Sequence, residues 1–230
     1  MKIMTFNLQH CNFYPESRID FMPFAQEILS CGADIIGLNE VRGKGILKGY
    51  TEQAKKLAEL TGYHYYFGKA INVGGFSPYG NAILSKSPIL SAENIKIPDP
   101  VPKTGHEMYE SRSIIKAQTE KDKEYTVFVT HMGLNKDERE NAVKTLLGMA
   151  PDKKCVIMGD FNCLPDAEEL KPLFDKFLCS DTEKYTFPSD NPDRKIDYIF
   201  YSHDLKLTDK GVSEKIVSDH LSLWAEFKEK

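Results

Sequence analysis

The hydrophobic and polar positions along the chain divide it into short segments. Residues 2–6 form an apolar run that predicts a strand, with Asn7 at its end. Ile19, Met22, Ala25, Ile28 and Leu29 recur at helical spacing and predict a helix over 16–31, stopped by Gly32. Residues 33–38 read as a buried strand, with Glu40 just past it. A second helix is predicted over 51–61, with Ala54, Leu57 and Ala58 inward and Gly62 as its stop. Strand patterns dominate next, over 64–69, 81–85, 89–97 and 112–119. The first two are separated by a glycine-rich loop over 72–80, and a proline-rich loop covers 98–110.

Residues 125–130 predict a strong strand ending at His131. Ala142, Val143, Leu146 and Leu147 share one face of a helix predicted over 137–150. A further apolar run leads through Cys155, Val156, Ile157 and Met158 to Gly159, and Asp160, Phe161 and Asn162 follow. If that segment stays extended, Asp160 and Asn162 point to one side and Phe161 to the other. A short helix is expected after Pro165 with Asp166 as its cap. In the strand predicted over 196–201, Ile196, Tyr198 and Phe200 share one face, and Asp197, Ile199 and Tyr201 the other. Leu221, Leu223 and Ala225 alternate in a last strand. Strands come in adjacent runs rather than in regular βαβ alternation, which favours an α+β fold with helices outside mixed or antiparallel sheets.

Composition narrows this picture. With 230 residues, 41% of them hydrophobic, the chain suits one large domain over 1–230. No apolar stretch is long enough to span a membrane, and the first residues read as a strand rather than a signal peptide. The five cysteines include no CxxC pair, which points away from a disulfide framework or zinc knuckle and towards a cytoplasmic setting. A net charge of -4 and a pI near 5.9 argue against tight binding of duplex DNA, although a local basic loop still permits contact with nucleic acid.

Candidate chemistry lies where the apolar strands end. Asn7, Glu40, His131, Asp160 with Asn162, Asp197, and Asp219 with His220 all occupy such positions. Carboxylates and an asparagine are hard oxygen donors suited to Mg²⁺ or Mn²⁺. Two histidines add groups that move protons near neutral pH. Arg42, Lys44 and Lys48 form a basic loop suited to a substrate phosphate, but no GK[ST] pattern opens a helix there as in a P-loop. Phe76 and Tyr79, in the glycine-rich loop, suit stacking on a base or a lipid-like group.

In this order the motifs resemble the endonuclease/exonuclease/phosphatase superfamily, which includes deoxyribonuclease I and the exonuclease III-type nucleases. They are Thr5-Phe6-Asn7, Leu38-Asn39-Glu40-Val41, residues 80–85, Thr130-His131, residues 159–162, residues 196–200 and Ser218-Asp219-His220. The resemblance implies a four-layer α/β/β/α sandwich and metal-assisted hydrolysis of a phosphate ester. It implies Glu40 as principal metal ligand with Asn7 and Asp219 beside it, and Asp160 and Asn162 on the attacking water and a phosphate oxygen. By the same resemblance, His220 pairs with Asp197, His131 meets a phosphate oxygen or the leaving group, and Arg112 lies near the phosphate. Either Asp160 or the His220–Asp197 pair can take the water's proton. Asn39 stands where the superfamily usually has glutamine. The superfamily includes nucleases, which leaves a single-stranded or damaged nucleic acid open as substrate. A non-catalytic binding module on the same fold, and a cysteine hydrolase built on Cys155 or Cys163, are the readings of other classes.

Overall fold

A computed structural model describes residues 1–180 and 182–230 of the chain. Its centre is a pair of six-stranded sheets lying face to face. The first contains β1 (Lys2–Asn7), β4 (Ile35–Arg42), β5 (His64–Val73), β6 (Ser77–Ser85), β13 (Leu205–Val212) and β14 (Leu223–Glu229), in the order β13-β14-β1-β4-β6-β5. The second contains β7 (Ile89–Lys96), β8 (Ser113–Thr119), β9 (Thr126–His131), β10 (Cys155–Asp160), β11 (Leu178–Cys179) and β12 (Asp197–Tyr201), in the order β11-β12-β10-β9-β8-β7. A two-stranded ribbon of β2 (Asn12–Phe13) and β3 (Arg18–Ile19) stands apart.

Each sheet has one parallel pair at its middle, β1 with β4 and β9 with β10. A parallel pair needs a crossover, and a helix supplies it in both cases. Helix α1 (Met22–Cys31) links β1 to β4, and α3 (Lys136–Met149) links β9 to β10. Helix α2 (Gln53–Thr61) follows β4, and α4 (Lys171–Lys176) follows β10. The α3 crossover opens on a capping box formed by Asn135 and Glu138.

Period-two alternation sorts the strand residues into layers. Ile3, Ile35, Ile83, Val129, Val156, Met158 and Ile199 fill the space between the sheets. Met4, Phe6, Ile36 and Leu38 face outward onto Phe24, Ile28 and Leu57 of α1 and α2. Phe128, Ile157, Tyr198 and Phe200 face outward onto Val143, Leu146 and Leu173 of α3 and α4. The result is the four-layer α/β/β/α sandwich that the motifs implied. Asp197 shares its face with Ile199 and Tyr201, as the alternation required.

Several expectations need correction. The helix expected over 16–31 begins only at Met22, because Pro23 fits the first helical turn and not a helix interior. Ile19 therefore lies in β3, and Met22 and Leu29 point outward, while Phe24, Ala25 and Ile28 form the buried face. The glycine-rich segment over 72–80 is mostly strand, with β5 and β6 closing in a tight hairpin around Gly74 and Gly75. Arg42 belongs to the end of β4 rather than to a loop. Asp166 caps no helix: a short 3₁₀ turn at Glu168–Leu170 precedes α4.

Candidate active site

The strand register gathers the polar groups. Asn7, the last residue of β1, is paired with Asn39 of the parallel strand β4. In the second sheet Asp160 is paired with His131 on one side and with Asp197 on the other. The ends of both parallel pairs therefore meet at one edge of the sandwich, where the segment leading to β14 adds Asp219 and His220.

Gly159 makes this approach possible. Its φ of 148° and its position leave no room for a side chain, since a Cβ there would lie 1.8 Å from the Thr130 carbonyl oxygen. Glu40 sits in a β-bulge between Leu38 and Val41 with φ 58°, a left-handed conformation costly for a non-glycine residue. Asn162 has φ 53°, which asparagine tolerates better.

Asp160 is the hub. Its backbone N–H donates to Asn39 Oδ1 at 2.9 Å, and its Oδ1 accepts from Asn162 N–H at 2.9 Å. Its Oδ2 accepts from Asn7 Nδ2 at 3.0 Å and lies 3.6 Å from Nε2 of both His131 and His220. The Asn7 amide also donates to Glu40 Oε1 at 3.2 Å, while its oxygen accepts from Gln9 N–H. One asparagine thus spans two carboxylates. On the other side, His220 Nδ1 meets Asp197 Oδ2 at 2.9 Å, and Phe187 packs on the His220 ring with centroids 4.6 Å apart.

Electrostatics separates these groups. Burial pushes the Asp160 carboxyl up to about 7, against the opposing pull of His220. For His220, burial disfavours the charged form, but the carboxylates of Asp197 and Asp160 outweigh it and raise the pKa, so the ring is held as imidazolium. For His131, burial and the Arg112 cation act together and keep the ring neutral. Burial opposes ionisation of Glu40 too, yet His10, His131, Tyr79 and Asn7 together hold its carboxyl below the usual range. Burial raises Asp219, with Glu40 adding to the effect.

His131 also faces two donors. Arg112 Nη1 lies 3.2 Å from its Nδ1, and Asn162 Nδ2 lies 3.0 Å from its Nε2. A neutral imidazole accepts at one nitrogen only. Arg112 Nη1 also pairs with Glu110 Oε1 at 2.8 Å and Asn162 Nδ2 donates to the Met132 carbonyl at 2.9 Å, so the donor of this corner left without a partner is the buried Arg112 Nε, which suits an anion.

Asn7, Glu40, Arg112, His131, Asp160, Asn162, Asp197 and His220 are brought together, and Asp219 lies beside them, hydrogen-bonded to the Ser218 hydroxyl at 3.0 Å. Tyr79 joins them from β6, its hydroxyl meeting Glu40 and its own pKa raised by burial and by that carboxylate. Lys44, Lys48 and Phe76 project into solvent instead, and the Arg42 guanidinium lies over the Tyr50 ring at 4.8 Å. The residue pattern gave no reason to single out His10, whose Nδ1 is 3.7 Å from Glu40 Oε2. It follows Asn7 by three positions on a 3₁₀ turn, and that polar step after a strand end is the signal that would have pointed to it.

Residues 4–220 match the sequence model of the Endonuclease/Exonuclease/phosphatase family. The chain belongs to this family. A solved family protein from Beutenbergia cavernae is similar over 100% of this chain and 71% of its own, at 21% identity and TM-score 0.80. Similar too is a mannosyl-6-phosphatase from Bacteroides thetaiotaomicron, at 19% identity and TM-score 0.75 over 99% of both chains. The human Nocturnin catalytic domain, solved with sulfate, matches at 19% identity and TM-score 0.75 over 100% of this chain and 93% of that one. At such identities the likeness to these family members establishes the fold. No curated protein matches the chain in sequence.

Proposed function

We propose that the chain, acting as one domain over residues 1–230, hydrolyses a phosphodiester or phosphomonoester by in-line attack of water, with Mg²⁺ or Mn²⁺ bound. The observation that carries this reading is Asp160: a buried carboxylate held by Asn7 and Asn162 between two histidines of different protonation state. Pairs of titratable groups pushed apart in this way divide acid and base work between them.

The donor set fits a hard cation. Glu40 is held ionised, Asp219 adds a carboxylate and Asn7 an amide oxygen that here accepts from Gln9 N–H, and no cysteine contributes, since burial pushes the thiols of Cys155 and Cys163 up to about 12. Bound there, the ion would withdraw electron density from a phosphoryl oxygen and offset its charge. Glu40, Asn7 and Asp219 would hold it, with Asn7 keeping its second carboxylate contact on Asp160.

The remaining steps belong to the side chains. Asp160, with one oxygen fixed by Asn162 N–H, orients the water and takes its proton. His220, charged and fixed by Asp197, donates from Nε2 towards the developing negative charge. Arg112, His131 and Asn162 supply donors for the phosphoryl oxygens, the unpartnered Arg112 Nε among them. A binding module without turnover has no need of a buried imidazolium–carboxylate pair, and Cys155 and Cys163 are too buried to act as nucleophiles.

Asp197→Asn tests the reading. The amide keeps the shape but removes the charge that holds His220 protonated and oriented. Turnover of a generic phosphodiester should fall by about 10²–10⁴-fold, with metal affinity measured by calorimetry unchanged. Parent-like turnover would end the proposal for the His220–Asp197 pair. Glu40→Ala should instead weaken the calorimetric metal signal, and an unchanged titration would remove Glu40 from the ligand set.

A further inference from the structure

The turn joining β5 to β6 and the loop after β4 form a single projection. Leu47 N–H donates to Ser77 Oγ at 3.1 Å, Gly43 N–H donates to the Pro78 carbonyl at 2.9 Å, and the Leu47 side chain packs against Gly74. The loop is also closed on itself, with Gly45 N–H on the Tyr50 carbonyl and Tyr50 N–H on that of Leu47.

Two properties set this projection apart. Ile46 is 77% exposed and Phe76 70%, with Leu47 and Val73 also exposed beside them. A soluble surface seldom leaves such groups together without a use for them. Charge is segregated there as well. Residues 41–51 and 64–80 contain Arg42, Lys44, Lys48 and Lys69 and no Asp or Glu, and Glu52 and Glu59, which line a hollow with Lys44, are matched there by Lys55 and Lys56, in a chain whose net charge is -4. Val101 and Met108 are as exposed, but their loop also holds Asp99, Glu107 and Glu110.

We infer that this projection docks the protein on an anionic lipid surface, the lysines at the headgroups and Ile46 and Phe76 in the boundary beneath. Aliphatic groups such as Ile46, Leu47 and Val73 gain from a hydrocarbon boundary and gain nothing from a phosphodiester backbone, and Phe76 alone at the tip, with the Tyr50 ring already covered by Arg42, offers little for base stacking. The projection borders the candidate site, because Tyr79, two residues beyond Ser77 on β6, reaches Glu40. Docking would place the mouth of that site beside the headgroups. The inference rests on this surface and stands whether or not the catalytic reading does.

Co-sedimentation of the full chain with vesicles tests it. Binding is expected to vesicles of phosphatidylcholine with about 30% phosphatidylglycerol and not to phosphatidylcholine alone, and to weaken as salt is raised. Each exposed lysine near such a surface is worth about fivefold, so the double variant Lys44→Gln/Lys48→Gln should bind on the order of 25-fold more weakly. Ile46→Ser/Phe76→Ser should also lose binding, with its thermal unfolding midpoint unchanged, whereas Val101→Ser/Met108→Ser should bind like the parent. No binding to anionic vesicles, equal binding to neutral ones, or indifference to either projection variant would overturn the inference. So would binding of a single-stranded oligonucleotide that the projection variants abolish in a protein that ignores vesicles.

Discussion

Replacing Asn39 by alanine should uncouple the two sheets at the edge where the site is built. Asn39 is fully buried within β4, where its bulge begins, in the first sheet. Its amide donates to Asn81 Oδ1 and to the Thr130 carbonyl, each at 2.8 Å, and its oxygen accepts from Asp160 N–H at 2.9 Å. The last two partners belong to the second sheet. The truncation leaves a carbonyl, an amide oxygen and an N–H without partners in a buried setting, at about 1–3 kcal/mol each. Water entering the vacated volume restores part of this, so the net loss should be about 3–5 kcal/mol. Against a total stability of roughly 5–15 kcal/mol, that is a large fraction. Urea denaturation measures it: with a slope of about 3 kcal/mol/M, the midpoint should fall by roughly 1–1.5 M. A cycle with Asn81→Ala should show coupling of about 0.5–3 kcal/mol, because the two amides share a bond. A midpoint shift below about 0.3 M, with additive single variants, would refute the clamp.

Asp34 makes an acid-stability prediction. Burial opposes its ionisation, but the Lys2 N–H at 2.9 Å and the nearby Lys121 and Lys86 cations outweigh it and lower its pKa. Its contribution is therefore present above the ordinary carboxylate pKa and lost as pH falls through its lower folded value. Asp34→Asn should lower the unfolding free energy at neutral pH and flatten its decline between about pH 4 and 2, and an unchanged acid limb would exclude Asp34 from it. Native-state alkylation with iodoacetamide should leave the proposed phosphoesterase activity intact, since Cys11, Cys155 and Cys163 are buried; inactivation that tracks modification of Cys155 or Cys163 would restore the cysteine reading. Random duplex DNA should not bind at nanomolar concentration in physiological salt, given the pI near 5.9, and a fluorescence-anisotropy titration that saturates there would contradict this.

The central strands were legible because period-two alternation between two apolar layers leaves continuous runs such as Cys155 to Met158. Strand β13 was not legible. It is an edge strand with a bulge between Leu207 and Asp209, and Asp209 and Lys210 lie on its exposed stretch, so its pattern reads as loop. Helix α1 reads as starting at residue 16 because Ile19 falls in phase with Met22 and Ala25 by coincidence, whereas Pro23, suited only to a first helical turn, marks its start. Among the site residues, strand-end polar groups were readable by position. The contacts among them were not: Asn39 meets its partners 42, 91 and 121 residues away, and no local pattern encodes those distances. The left-handed backbone at Glu40 likewise depends on the bulge in β4 and not on the residue itself.

The distribution of the strands along the chain bears on how the protein is made. Strands β7 to β12 form the second sheet as one uninterrupted stretch, whereas the first sheet is begun by β1, β4, β5 and β6 and finished only by β13 and β14. Until β14 emerges from the ribosome, β1 has one edge unpaired, and Ile3 and Met4 lie beside a row of open backbone groups. Such an edge is a template for strands of other chains. The nascent protein thus carries its second sheet nearly assembled while its first remains open, and His220 arrives just ahead of the strand that closes that edge. Chains that stall before β14 should be the ones that chaperones hold and proteases clear.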